Sequence, residues 1–200
     1  MTDEEIRQEL RKKKKRKMAM RRLIAAVAAT AIFVTAACFA GRAIGSAKYE
    51  KELSRFVSVT DETPLVHVAV QEIGNKGGSK YCKWFGFGER VDWCAIFVSW
   101  CESQCGYIDD GKAPSFSMVN DGANWFQKHD QWLEKDAVPE AGDLIFFDWE
   151  HDGDRDHIGI VTAVKDGMIF TVEGNSSDRC RRKRYAQDDP FILGYARIKK

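Results

Sequence analysis

Asp156-His-Ile-Gly-Ile-Val-Thr-Ala-Val-Lys-Asp-Gly-Met-Ile-Phe-Thr-Val-Glu-Gly-Asn175 consists of two apolar runs on either side of a turn signal. Lys165-Asp166-Gly167 between continuous apolar stretches predicts a β-hairpin, with strands over Ile158–Val164 and Ile169–Glu173. A pairing of Val164 with Met168 makes the numbers of facing residues sum to 332, so odd-numbered side chains share one face. In that register His157 faces Asn175, and Glu173 lies diagonally across on the same face. A slip of one residue would separate them.

Working outward, the period-two or continuous apolar pattern predicts a strand over Asp143–Phe147 before the hairpin and another over Phe191–Ile198 after it. Upstream the periodicity is helical. Leu65–Ile73 reads as a short helix stopped by Gly74, Trp93 to about Gln104 as a second helix with Asp92 as N-cap, and Gly122–Lys128 as a third. Gly74–Arg90, rich in glycine and aromatics, reads as a loop. Helices followed by an antiparallel meander give an α+β domain, with its N-terminal helices packed on the sheet.

Cys94 opens the second of these helices, where free amides and the helix dipole favour an anion and expose a thiolate nucleophile. A nucleophile needs a base. His67 falls in an apolar helical pattern, His129 at a helix end beside Lys128 and Asp130, and His151 in the acidic loop Glu-His-Asp-Gly-Asp-Arg-Asp. His157 opens an apolar strand, the more rigid platform. A carboxylate or amide from Glu173 or Asn175 beside its second ring nitrogen would fix tautomer and orientation.

Taken together, Asp92-Trp-Cys94-Ala-Ile-Phe-Val-Ser-Trp100, Pro139-Glu-Ala-Gly-Asp143-Leu-Ile-Phe-Phe-Asp148, Asp156-His157-Ile-Gly-Ile-Val161 and Val172-Glu173-Gly-Asn175-Ser176 resemble the CHAP family, the cysteine, histidine-dependent amidohydrolases and peptidases related to NlpC/P60 and papain-like enzymes. The resemblance covers about residues 65–198, with the four blocks in the family's order. It implies a papain-like fold and peptidoglycan as the usual substrate. It also implies Cys94 as nucleophile, His157 as base and Glu173 as third member, with Asn175 as auxiliary or rival. Tyr81, Trp84, Phe85, Phe87 and Trp93 are the expected groove residues, and Tyr81 or a backbone amide of the Gly77–Gly88 loop the guess for a second oxyanion donor. A cysteine peptidase acting on protein, or a catalytically silent wall-binding scaffold of the same fold, are the alternative readings.

The remaining cysteines carry less. Cys94, Cys101 and Cys105 fall on one helix face, and the latter two read as small buried apolar residues. C-x-x-C and zinc spacing are absent, and a Cys82–Cys180 disulfide stays open. Asp152, Asp154 and Asp156 alternate, but the pattern is not an EF-hand and reads as a solvated acidic loop. No metal or cofactor is expected. Arg179–Arg184 reads as a solvated basic loop.

Charge is distributed unevenly. Residues 1–22 hold 10 of the 31 Lys+Arg and 4 of the 30 Asp+Glu, leaving the remainder at net −5. The basic run Arg11–Lys17 would suit nucleic acid on its own, but Leu23–Ala40 follows it without a charge or a proline. Eighteen residues at ~1.5 Å rise reach about 27 Å, close to the ~30 Å hydrocarbon core. Basic residues on the N-terminal side hold that side in the cytoplasm. The expected organisation is a basic cytoplasmic segment (1–22), a transmembrane signal-anchor (23–40), a stalk (41–64) and an extracytoplasmic catalytic domain (65–200). Cleavage after the small residues Ala36–Gly41 is the competing reading of the apolar segment. The expected partners are peptidoglycan, the membrane through residues 23–40, and an envelope secretion or conjugation assembly. Nucleic acid is not among them.

Overall fold

The structure, a computed structural model, describes residues 63–199. The readings of the basic segment, the membrane span and nearly all of the stalk lie outside the described residues. Among the described residues no helix is long and apolar enough to cross a membrane.

Four helices precede six strands: α1 (Pro64–Gln71), α2 (Ser79–Phe85), α3 (Cys94–Gln104), α4 (Val119–Lys128), β1 (Trp132–Glu134), β2 (Leu144–Phe147), β3 (His157–Lys165), β4 (Met168–Glu173), β5 (Arg181–Ala186) and β6 (Ile192–Ala196). The strands form one antiparallel sheet in the order β1-β6-β2-β3-β4-β5. The α+β expectation holds.

α3 is the central helix. Cys94 through Ser99, Cys101 and Glu102 are all buried, so it is covered nearly all round by α1, α2 and β3. Burying a side chain such as Phe97 contributes roughly 1.5–3 kcal/mol. The even-numbered residues of the central strands, Leu144, Phe146, Ile158, Ile160 and Val172, join this helix-side core. The odd-numbered Ile145, Phe147, Val161, Ile169 and Tyr195 form a smaller cluster on the opposite face. Asp143, buried just before β2, accepts two hydrogen bonds from Arg197, from Nε at 3.0 Å and Nη2 at 2.8 Å, and thereby ties the sheet's start to its end.

Four expectations are corrected. First, the Gly74–Arg90 segment is not all loop. It contains α2, bounded by Gly78 and Gly86 and anchored by the buried Tyr81 and Cys82; its helical stripe is too short to stand out among the flanking glycines. Second, the α3 N-cap is Trp93, not Asp92, and no side chain caps the helix. Third, the hairpin turn has two residues, not three. Asp166 and Gly167 take φ of 52° and 73°, the left-handed pair of a type I′ turn, and Val164 pairs with Ile169 instead of Met168. Fourth, the basic cluster is no loop. Arg181–Ala186 is edge strand β5, where a row of cations discourages pairing with another chain. β1 also escaped the sequence reading, being only three residues long. The disulfide left open by the sequence is absent: Cys82 and Cys180 are both buried and free.

Candidate active site

Near the hairpin turn the β3–β4 partners sum one higher than predicted, but a bulge between Val161 and Ala163 removes the offset. Beyond it Val161 pairs with Thr171 and Ile160 with Val172, which is the predicted register. At the site, therefore, the ladder places Glu173 across from Gly159 and diagonal to His157. His157 Nε2 lies 3.0 Å from Glu173 Oε2. Glu173 is 1% exposed, and its other oxygen accepts a 2.6 Å hydrogen bond from Thr171 Oγ1, so the buried carboxylate is satisfied on both sides.

Two glycines make this arrangement sterically feasible. A Cβ on Gly159 would lie 2.7 Å from Glu173 Cγ, so the carboxylate occupies the space that a side chain there would fill. A Cβ on Gly174 would lie 2.5 Å from Phe97 Cβ, so the absent side chain lets α3 approach the end of β4. Cys94, the first residue of α3, is thereby held against the hairpin that carries His157.

The Cys94 thiol lies close enough to the His157 ring to raise its affinity for a proton. Since Glu173 occupies Nε2, Nδ1 is the nitrogen left for the sulfur. Burial disfavours the His157 imidazolium, but the hydrogen bonds to Cys94 and Glu173 and their charges outweigh it, and its pKa rises to about 10. The ring therefore holds a proton more readily than a free imidazole does. Cys94 is 7% exposed and lines a cleft of about 470 Å³ with Phe87, Asp92, Met118, Asn120 and Arg155. His157 lines a second cleft, of about 340 Å³, with Trp149, Glu173, Asn175, Lys183 and Tyr185. The two clefts adjoin at the Cys94–His157 pair.

Asn175 belongs to the same corner but not to the imidazole's hydrogen bonds. In a left-handed conformation (φ 57°), it donates from Nδ2 to Asp92 Oδ1 at 3.1 Å and so braces the residues that lead into Cys94. Glu173, not Asn175, is the imidazole's partner.

The expected groove aromatics divide. Phe87 lines the Cys94 cleft. Phe85 stacks on Phe87 from behind, and Trp84 stands at the surface against Phe85. Tyr81 and Trp93 are core residues, 1% and 0% exposed, stacked on each other at 5.2 Å. The Tyr81 hydroxyl donates to Glu72 at 2.6 Å, which removes it as an oxyanion donor. Sequence reasoning missed Met118, Asn120 and Arg155 in one cleft and Trp149, Lys183 and Tyr185 in the other. The odd-number parity could have found Trp149, which follows Phe147 on the face of His157.

The acidic loop is closed on itself. Asp148 accepts from the Gly153 and Asp152 amides, Asp152 from the Asp154 amide, and Asp156 from the Trp149 amide. Among the described residues no group of three or more His, Cys, Asp or Glu side chains is arranged to hold a metal ion.

A buried thiol–imidazole–carboxylate chain on an α+β scaffold defines the class of site. Residues 86–175 match the family model described as the CHAP domain. Solved structures similar to it include Ly7917 (15% identity, TM-score 0.45, covering 68% of this chain and 61% of that one). A second structure of Ly7917 is described as holding the hydrolyzing product of MDP (16% identity, TM-score 0.40, 52% and 53%). A third is a Staphylococcus aureus protein described as similar to a lipoprotein of the NLP/P60 family (15% identity, TM-score 0.39, 68% and 41%). The chain therefore spans less than two thirds of the length of each. Comparison with curated proteins finds no match.

Proposed function

We propose that this chain is a peptidoglycan hydrolase that cuts an amide bond through a cysteine thioester. The observation that carries the reading is Cys94 beside a His157 ring that is paired with the buried Glu173, with a cleft on either side. The matched CHAP domain supports peptidoglycan as the substrate class.

In this mechanism His157 takes the Cys94 proton and the thiolate attacks the amide carbonyl. The Cys94 backbone amide, one of the free N–H groups of the first turn of α3, donates to the developing oxyanion. Removing a single donor of this kind costs about 2.7–4 kcal/mol of transition-state stabilisation. The C–N bond then breaks as the imidazolium passes its proton to the leaving amine. Water, deprotonated by His157, attacks the thioester, releases the acid and returns the proton to the thiol. Glu173 holds the ring orientation and stays ionised throughout.

We further propose that residues 23–40 tether the domain on the outer side of the membrane, where its substrate lies, and that it works beside an envelope secretion or conjugation assembly. The test of activity is release of soluble fragments from purified cell walls. The full chain releases them and its Cys94→Ala variant does not. Equal release by both overturns the hydrolase reading in favour of a wall-binding scaffold, and cleavage of casein without release from walls favours a protein peptidase.

A further inference from the structure

The two clefts are chemically unlike. Which half of the substrate each receives follows from the roles of their residues. The oxyanion donor and the sulfur that keeps the acyl group lie with Cys94, whereas the proton for the departing amine comes from His157. The amine half therefore belongs in the cleft that His157 shares with Trp149, Lys183 and Tyr185.

That cleft has an apolar wall and a cationic end. Trp149 is 37% exposed and lies flat on Phe147, with ring centroids 4.6 Å apart, and Tyr185 packs at 6.1 Å from it. Lys183 reaches over the Tyr185 ring, its Nζ 6.0 Å from the centroid, and makes no ion pair among the described residues. The carboxylate lining this cleft, Glu173, has both oxygens engaged by His157 and Thr171. Arg181 precedes Lys183 on the same face of β5. In the other cleft Arg155 is offset by Asp92 and Asp156. The positive balance lies on the amine side.

We propose that Lys183 binds a carboxylate carried by the leaving amine, packed against Trp149 and Tyr185, so that the bond cut is an amide of an amino acid or peptide amine instead of an amino sugar or a simple alkylamine. This rests on the hydrolase reading above. It is tested with the full chain on two synthetic amides that share one acyl group. In one the leaving group is an amino acid with a free carboxylate, and in the other it is the corresponding carboxamide. Wild type favours the free acid by about tenfold in kcat/KM, mainly through KM. Lys183→Gln loses the preference and Lys183→Arg keeps it. A preference unchanged in Lys183→Gln, or absent from wild type, overturns the proposal. Calorimetry of the two free amines on the Cys94→Ala protein reads the same selectivity without turnover: tighter binding of the acid supports Lys183, and equal binding refutes it. Release from cell walls, measured in parallel, shows separately whether the hydrolase reading itself has failed.

Discussion

Glu173 and Glu102 are both buried carboxyls, and they behave oppositely. Glu173 is satisfied by His157 and Thr171 and supports the imidazolium. His157 has a folded-state pKa of about 10, above the usual 6.5. Its protonated form therefore stabilises the fold fully below about pH 6.5, and that contribution is lost as pH rises towards 10. Glu173→Gln removes the charge that holds the proton. Its alkaline activity limb is expected to move down by a unit or more relative to wild type, read from kcat/KM against pH. Glu102, on the far turn of α3, has neither carboxylate oxygen hydrogen-bonded, and burial pushes its pKa well above the usual value. The folded chain thus keeps a proton there that the unfolded chain releases, and stability falls as pH rises above about 4.5. Glu102→Gln is expected to flatten that slope in urea unfolding at pH 5 and pH 8. Sequence alone singled out Cys94 and His157, because a helix start and a strand start are local patterns. It could not sort the aromatics. Tyr81 and Phe87 sit in the same stretch, but only packing against Trp93 and Glu72 makes one core and leaves the other in a cleft.

At the level of elements, the β3–β4 hairpin sets the site, and two features of it can be tested. Gly159→Ala sets a methyl against Glu173 and forces the carboxylate aside. The expected cost is about 1–3 kcal/mol of stability, read as a lower melting temperature, with a loss of activity beyond what the lower stability explains. Inserting one residue between Ile160 and Val161 shifts the register at the site by one position and turns His157 away from Glu173. That variant is expected to lose cleavage while circular dichroism still reports an α+β chain. The hairpin also shows how sequence reading met its limit. The register at His157 was derived from a three-residue turn, whereas the actual turn has two residues and the bulge supplies the compensating one. Hairpin signals fix that strands pair; a bulge depends on contacts across the sheet and leaves little local trace. β5 was missed for a similar reason, since Arg-Arg-Lys-Arg has no apolar alternation and becomes a strand only because β4 offers it a partner.

For the whole molecule, the proposed tether predicts a separation of location from chemistry. The full chain is expected to sediment with membranes and resist alkaline extraction, while a chain starting at residue 63 stays in the supernatant. If the truncated chain still pellets, residues 23–40 are not the anchor. The helical half of the domain holds Cys94, and the strand half holds His157 and Glu173. During synthesis Cys94 therefore emerges long before His157. A growing chain carries Cys94 without its partners until β4 has closed against β3, so under the proposed mechanism cutting waits for that hairpin. On that reading, the order in which the chain is read keeps the proposed activity silent until the hairpin closes.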